Sequence, residues 1–596
     1  MSFSTLSIGR SGLLISQYAL NTTGNNVANA ATPGYARQFV NQQALVPQEI
    51  GGGVVGLGVG VESILRVADN FLEQQLRNAY SHDTNLSQME TAYTNLQVYF
   101  NEPSDCDLST AMDEFWAAVS NLNDAVEDTA SRRQLTQKAE SLAERVNTLS
   151  RQIREYRAAI NGEIQATVNH INTITGQIAQ LNKAIVNMEY GGLLSVSAND
   201  LRDQRDVLIK ELAGIVDIQT SEEANGSVIV RQGNRTLVYY DSATRLKTEI
   251  ANSDDMLVYV PAWPDGTSLA VSDGALAAQL AIRDEVLRSY KRDLDFLAAQ
   301  IAWQVNRALS QGVGLVGYTE VKAANAPSNP AAYLDELDFG FAPQGDAFKV
   351  QNGSFEIIVR DLATGAETAV VIEIDLDRRL DPLGDRDIVL YDRDQPDAEN
   401  SLVSRVQRAL DAVVPGGFSV GVDNRNNFYI RCLSDGCDFG FGRDSSGLLA
   451  ALGINTLFTG HDGESLGVSA VMSASPQFIP GARKSETQNG FVAGNNDGIK
   501  ALLALRSSPI LDGGSSTLEG FYQGITGRLG VEGQRVIVER ISQANILTRM
   551  ENQREELSGV SLDEELTKMI QYQRAFQGCS KLISIADTMY ETLIGM

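Results

Sequence analysis

Apolar residues recur every seven positions at both ends of this chain. Leu6, Leu13, Leu20 and Val27 form one row. Leu562, Met569, Phe576, Ile583 and Tyr590 form another, with Tyr572, Cys579, Ala586 and Leu593 in a companion row three residues on. A seven-residue repeat keeps one seam of a helix facing a partner helix. The pattern therefore predicts a helix over 3–29 and a helix over the last stretch, the two packed together as a coiled coil. Thr32-Pro33-Gly34 ends the first helix, because proline pushes the residue before it out of the helical region and the glycine turns the chain. The apolar area of the two stripes is small against the entropy of ordering both helices, so the ends are expected to become ordered only on assembly with other subunits.

Residues 36–66 read as extended, with a glycine-rich stretch at 51–63, and a helix is expected from 68–80 on through 112–124. The longest heptad signal lies at 131–190. Leu135, Leu142, Leu149 and Tyr156 hold one position, and Ala139, Val146, Ile153 and Ile160 follow four residues later. Near Gly162 the phase slips by one residue. It resumes as Ile164, Ile171, Ile178 and Ile185, with Ile174, Leu181 and Met188 three residues on. The slip predicts a local change of supercoil or a bend, and the pattern suits a bundle seam as well as a dimeric coiled coil. A β-rich segment follows at 215–272, with a hairpin at 227–240 turning at Gly233-Asn234. Helix returns at 274–310, where Leu280, Leu287, Leu294 and Ile301 repeat by seven. Residues 313–480 are mostly β, with hairpins at 355–376 and 418–432 and a helix near 401–413. From about 490 the chain is helical again, broken near 511–520.

The pattern as a whole predicts an α+β multidomain chain: an elongated α-helical stalk made from both chain ends, with β-rich outer domains inserted. The expected divisions are a terminal coiled-coil domain from 1–67 and 553–596, with 36–67 as its extended connector. A helical bundle comes from 68–212, 274–312 and 490–552. A small β-rich segment spans 213–273, and mainly β outer domains span 313–489.

Composition narrows the function classes. The 596 residues suffice for more than one core, and with 43% hydrophobic and 21% charged residues the chain is of the globular class. A formal net charge of -27 repels phosphate backbones and anionic membranes, so neither nucleic acid nor membrane insertion is expected. The first twenty residues lack the basic, then long apolar, pattern of a secretory signal. Four cysteines, Cys106, Cys432, Cys437 and Cys579, make no dense disulfide framework.

Candidate chemistry is sparse. His82, His170 and His461 stand singly, with no nucleophile and carboxylate set around them. GGGVVG (51–56) matches a dinucleotide fingerprint in letters only; valines and glycines follow where a helix is required, so it reads as a connector or β-hairpin. Cys432 and Cys437 have no second ligand pair nearby and read as an accidental pair of strand cysteines. The aspartates between 373 and 397 lack the glycine and terminal glutamate of a calcium loop and read as solvated surface. No P-loop, HExxH or GxSxG is present. No catalytic residue, metal site or cofactor is expected.

Two terminal motifs carry a resemblance. NNVANAATPGYARQ (25–38) and SGVSLDEELTKMIQYQRAFQGCSKLISIADTMYETLIGM (558–596) resemble, as a pair, the end motifs of the flagellar axial family of rod, hook and hook-associated proteins. Within the family, the interior resembles the hook-associated protein 1 branch. The segments that carry this are GGGVVGLGVGVESILRVADNFLEQQLR (51–77), ANDLRDQRDVLIKELAGIVDI (198–218), LDFLAAQIAWQVNRALSQG (294–312) and LGINTLFTG (452–460). The resemblance covers most of 1–312 and 448–596. Thr567-Lys568 and Gly578-Cys579 depart from the family's pattern.

The resemblance implies a structural, non-enzymatic adaptor at the hook–filament junction of a bacterial flagellum. The alternative is another axial protein, hook or distal rod. Implied partners are further copies in a junction layer, the flagellar hook protein, a second hook–filament junction protein, and a cytoplasmic export chaperone acting on the C-terminal region. Export through the flagellar type III apparatus to the extracellular flagellum is implied with them. Asn26, Asn29, Thr32, Pro33, Gly34 and Tyr35 match the N-terminal motif and would fix the end and exit of the first helix. The two apolar stripes would form the assembly seam.

Overall fold

The computed structural model describes residues 2–50, 53–101, 107–190, 198–253, 256–341, 348–376, 388–391, 401–483, 494–511 and 513–595. Its helices, in chain order, are α1 (Ser2–Ala28), α2 (Asn70–Phe100), α3 (Leu108–Asp124), α4 (Thr129–Tyr190), α5 (Asn199–Ile215), α6 (Gly274–Ala281) and α7 (Leu287–Leu309). They continue as α8 (Leu402–Asp411), α9 (Leu448–Leu452), α10 (Ala470–Ala474), α11 (Asp497–Leu505), α12 (Leu518–Ser558) and α13 (Leu562–Ile594). Both chain ends are helical and the sheets lie in the interior of the sequence, an α+β multidomain arrangement.

The chain forms two compact units, one from 1–92, 158–284 and 533–596, the other from 93–157 and 285–532. The divisions fall within α2, α4, the turn Ile282–Val286 and α12, so the expected bundle segments 68–212, 274–312 and 490–552 each contribute to both units. The segment 213–273 belongs to the first unit.

In the first unit, the extended connector is an antiparallel ribbon. Gln38–Ala44 pairs with Val59–Arg66 across a bulge at Asn41/Gln42, and Gln48–Ile50 pairs with Gly53–Val55. A four-stranded antiparallel sheet runs over Gln219–Glu222, Val228–Gln232, Arg235–Tyr239 and Ser242–Ala243, turning at Gly233 as expected. Three asparagines of α4 bind this β-rich segment. Asn182 accepts from Val228 N–H at 3.0 Å and donates to Val228 O at 2.8 Å. Asn172 does the same with Leu246, at 2.7 and 2.9 Å. Asn161 accepts from Tyr259 N–H at 2.8 Å and donates to Leu257 O at 3.2 Å. Each carboxamide satisfies backbone groups that would otherwise be lost from water, which fixes the strands on the helix.

In the second unit, two three-stranded sheets and helices α8 and α9 enclose one large apolar core, to which α7 contributes Ala299 and Trp303. One sheet has the order Glu320–Lys322, Phe428–Cys432, Phe418–Val422; the other has Glu367–Ile374, Gly353–Asp361, Cys437–Asp444.

Two local expectations are corrected, and the α4 phase slip is placed within one unbroken helix. The helix expected from 68 to 124 is two helices. Asn101 takes φ 50° after α2, and Asp107 caps α3 by accepting from Thr110 N–H at 2.7 Å. The phase slip in α4 produces no interruption. Ile160, Ile164, Val168 and Ile171 are all buried, at spacings of four, four and three that follow the natural 3.6-residue turn. The helix expected at 274–310 contains a π-helical turn over Ile282–Val286. That extra residue per turn shifts the face, so Leu287, Leu294 and Ile301 are buried while Leu280 is only half-buried.

Candidate functional site

The chain ends meet in the first unit. Asn26 of α1 hydrogen-bonds Glu565 of α13, while Gly12 lies against Cys579 and Gly9 against Ile583. Positions rise along one helix as they fall along the other, so the pair is antiparallel. On α1 the seam runs through Gly9, Gly12, Ser16, Ala19, Thr23 and Asn26, alternating steps of three and four; all but the half-buried Gly12 are buried. These are small or polar residues. A Cβ added to Gly9 would sit 2.9 Å from Ile583 Cγ1, and one on Gly12 would sit 2.6 Å from Cys579 Sγ. Facing them, α13 supplies Glu565, Met569, Tyr572, Phe576, Cys579, Ile583, Ala586 and Tyr590; Glu565 and Ala586 are buried and the rest half-buried. Bulk on one helix fits absence of bulk on the other. Ser561 starts α13, its hydroxyl accepting from Glu564 N–H, with Asp563, Glu564 and Glu565 in the first turn to match the helix dipole.

The apolar positions singled out in the sequence fall in different places. Met569, Phe576, Ile583 and Tyr590 lie half-buried on the side facing α1. Leu6, Leu13, Leu20 and Val27 are half-buried beside the seam rather than in it, and Leu562 is 50% exposed. The seam of α1 escapes a search for apolar bulk because it is built of glycine, serine, alanine, threonine and asparagine. Its three-four spacing of small residues was the available signal.

A second apolar face is exposed. On α13 it comprises Leu562, Leu566 and Ile570, then Leu582, Ile585 and Met589; on α1, Ile8, Leu14 and Tyr18 are exposed. A helix apolar on two sides is the pattern of one covered on two sides.

The motif after α1 forms a polar lock. Asn26 is 1% exposed; its amide donates to Gln38 O (2.9 Å) and Glu565 Oε2 (2.8 Å), and its oxygen accepts from Gln38 N–H (3.0 Å) and Tyr35 OH (2.8 Å). All four hydrogen bonds of the side chain are made. Burial, and after it the nearby Asp200, Asp203 and Glu565 carboxylates, push the Tyr35 phenol far above its ordinary value, so it keeps the proton it donates. Lys568 Nζ lies 2.7 Å from Glu565, so the buried carboxylate is paired. The Gln38 side chain reaches Asp200 (2.9 Å) and Asn199 (3.3 Å) of α5. Ala36 N–H donates to Asp203 at 3.2 Å, and Arg66 pairs with Asp203 (3.0 Å) and Asp206 (2.6 Å). Burial raises the Asp203 carboxyl despite these donors. Arg37 N–H donates to Ser558 O at 2.9 Å, and its guanidinium pairs with Glu564 at 3.2 Å.

Gly34 permits the turn, with φ 79° and no room for a Cβ, which would meet Val207 Cγ2 at 2.3 Å. Asn29 donates to Asn25 Oδ1 at 2.8 Å and accepts from Thr32 Oγ1 at 3.2 Å, while Pro33 is exposed. The motif thus ties α1, the connector, α5 and the α12–α13 turn together. Glu565, Gln38 and Asp203 were not singled out in the sequence; each meets at least one partner more than 160 positions away, Asn26, Asp200 and Ala36 respectively.

Among the described residues, no three His, Cys, Asp or Glu side chains gather to hold a metal, and no helix is long and apolar enough to cross a membrane. Of the aspartates between 373 and 397, only Asp375 lies within the described residues. His82, His170 and His461 each face one carboxylate at the surface, Asp273, Glu211 and Asp462.

Family comparison matches three stretches. Residues 93–322 match the flagellar hook-associated protein FlgK helical domain, 6–35 the flagella basal body rod protein model, and 551–596 the C-terminal model of flagellar basal body rod FlgEFG proteins. The chain is similar over nearly its whole length to two curated relatives. Flagellar hook-associated protein 1 of Escherichia coli is 26% identical over 98% of each chain; that of Bacillus subtilis is 24% identical over 99% of this chain and 98% of its own. A solved structure of the flagellar hook junction protein FlgK from Burkholderia pseudomallei covers 81% of this chain and 100% of its own, with a TM-score of 0.48 at 16% identity.

Proposed function

We propose that the chain is a member of the flagellar hook-associated protein 1 family, a structural adaptor joining hook to filament in the bacterial flagellum. The observation that carries the reading is full-length similarity to proteins of that name, from the first helix to the last. The terminal helices supply the means. Their shared seam is closed within the chain, and the second apolar face of α13, with Ile8, Leu14 and Tyr18 of α1, is left for other subunits. In this reading Leu6, Leu13, Leu20, Val27, Leu562, Met569, Phe576, Ile583 and Tyr590 contribute to packing between subunits as well as within one. Asn26, Asn29, Thr32, Pro33, Gly34 and Tyr35 hold α1 at a fixed angle to the connector.

The partners are other copies in a junction layer, the hook protein on one side and a second junction protein on the other. A chaperone holds the C-terminal region before export through the flagellar type III apparatus. The protein works by binding alone and catalyses no reaction. Deletion of the gene, followed by electron microscopy, tests the proposal. Cells are expected to build hooks and release filament subunits into the medium; normal filaments on the deletion strain would overturn it.

A further inference from the structure

Cys432 ends the strand Phe428–Cys432, and Cys437 begins the strand Cys437–Asp444. These strands are consecutive in the chain but belong to different sheets. The first pairs with Phe418–Val422 and Glu320–Lys322, the second with Gly353–Asp361. Residues 433–436 are therefore where the chain crosses from one sheet to the other. Both sides of the crossing are anchored by backbone hydrogen bonds: Cys432 N–H to Thr319 O (2.8 Å), Leu433 N–H to Gly417 O (2.7 Å) and Leu362 N–H to Gly436 O (2.9 Å). With its ends so held, the crossing brings the two sulfur atoms to 2.6 Å. That is inside the contact distance of non-bonded sulfurs and a short closure from the S–S bond length of about 2.05 Å. A shared metal does not account for the approach, because no further His, Cys, Asp or Glu joins the pair among the described residues.

We propose that Cys432 and Cys437 form an oxidation site that closes into an intramolecular disulfide, stapling the two sheets at their crossover. The oxidant is a small disulfide such as oxidised glutathione. Cys432, the more exposed of the two, attacks it as a thiolate and displaces one small thiol. Cys437 then attacks the Cys432 sulfur of the mixed disulfide and displaces the second. One protein S–S bond forms, and the small disulfide takes up two electrons and the two protein thiol protons to become two thiols. Burial, with the Cys432 sulfur beside it, pushes the Cys437 thiol up to about 12, which assigns the first attack to Cys432. The site stands on its own geometry. Only its exposure to an oxidising exterior rests on the proposed place in the flagellum.

The test uses the full-length protein, purified reduced and equilibrated over a range of reduced-to-oxidised glutathione ratios. It is then alkylated, digested with trypsin and weighed. Cleavage after Arg431 and Arg443 releases both cysteines in one peptide, 432–443. The expected result is an unalkylated peptide two hydrogens lighter, still the major form with about a tenfold excess of reduced glutathione, while Cys579 is alkylated. Hydrogen exchange at 433–436 is expected to slow by about tenfold or more on oxidation. A peptide that stays doubly alkylated or carries two glutathione adducts, or exchange that does not respond to oxidation, would overturn the proposal.

Discussion

Along α4, Leu135, Leu142, Val146, Ile153, Ile164, Ile171 and Ile178 are each 1% exposed or less. Along α13, Met569, Phe576, Ile583 and Tyr590 are half-buried, and Leu562, Leu566, Ile570, Leu582, Ile585 and Met589 are open to solvent. Both helices carry the same seven-residue repeat. In α4 it is satisfied by neighbours from the same chain, and the polar positions beside it, Asn161, Asn172 and Asn182, are occupied by strands. In α13 one side is satisfied by the small residues of α1 and the other is not. A heptad therefore says that a helix has partners, and the exposure of its rows says how many of them lie within the chain.

A charge placed in each seam separates the two most strongly. Ile171→Asp buries a carboxylate with no partner and is expected to unfold the protein, read as loss of the cooperative thermal transition. Phe576→Asp is expected to leave that transition and the fold of residues 100–500 intact while abolishing assembly, read by sedimentation. Retained assembly would break the distinction.

A smaller effect belongs to the fit of α1 on α13. Gly12→Val is expected to cost about 1–3 kcal/mol in assembly, because its Cβ would meet Cys579 Sγ at 2.6 Å. Cys579→Ala is expected to recover most of the loss, and a double-mutant cycle on subunit association measures the coupling. Additive effects would mean that the two residues are not opposed.

The smallest effect concerns the interior side. Burial opposes ionisation of Glu189, yet the Arg202 side chain (2.9 Å to each oxygen) and Ala198 N–H hold its carboxyl below the ordinary 4.5. A depressed carboxyl adds stability above its unfolded value and loses it as pH falls through the folded one. The gap in thermal midpoint between the native chain and Glu189→Gln is thus expected to be full above about pH 4.5 and to shrink below it. Assembly through α13 should be indifferent to this substitution.

Elements with strong periodicity were legible from sequence. These include α1, α4, the hairpins at 227–240, 355–376 and 418–432, and the stop at Thr32-Pro33-Gly34. What was missed depends on distant polar partners or on absence of bulk. The small-residue seam of α1 has no apolar signal. Asn26 and Glu565 lie 539 positions apart. The π-turn at Ile282–Val286 follows from tertiary packing, with Arg283 donating to Asn161 Oδ1 (2.9 Å) and Tyr259 O (2.6 Å). Cys432 and Cys437 looked accidental because the sequence does not show that two sheets hold the ends of their loop.

Hydrogen exchange, followed on the monomeric chain and on assembled material, tests most directly that the terminal helices are completed by other subunits. Amides of α1 and α13 are expected to exchange far faster than those of α4 in the monomer, and to become protected to a similar degree on assembly. Terminal helices as strongly protected as α4 in the monomer, with no further gain on assembly, would contradict the account.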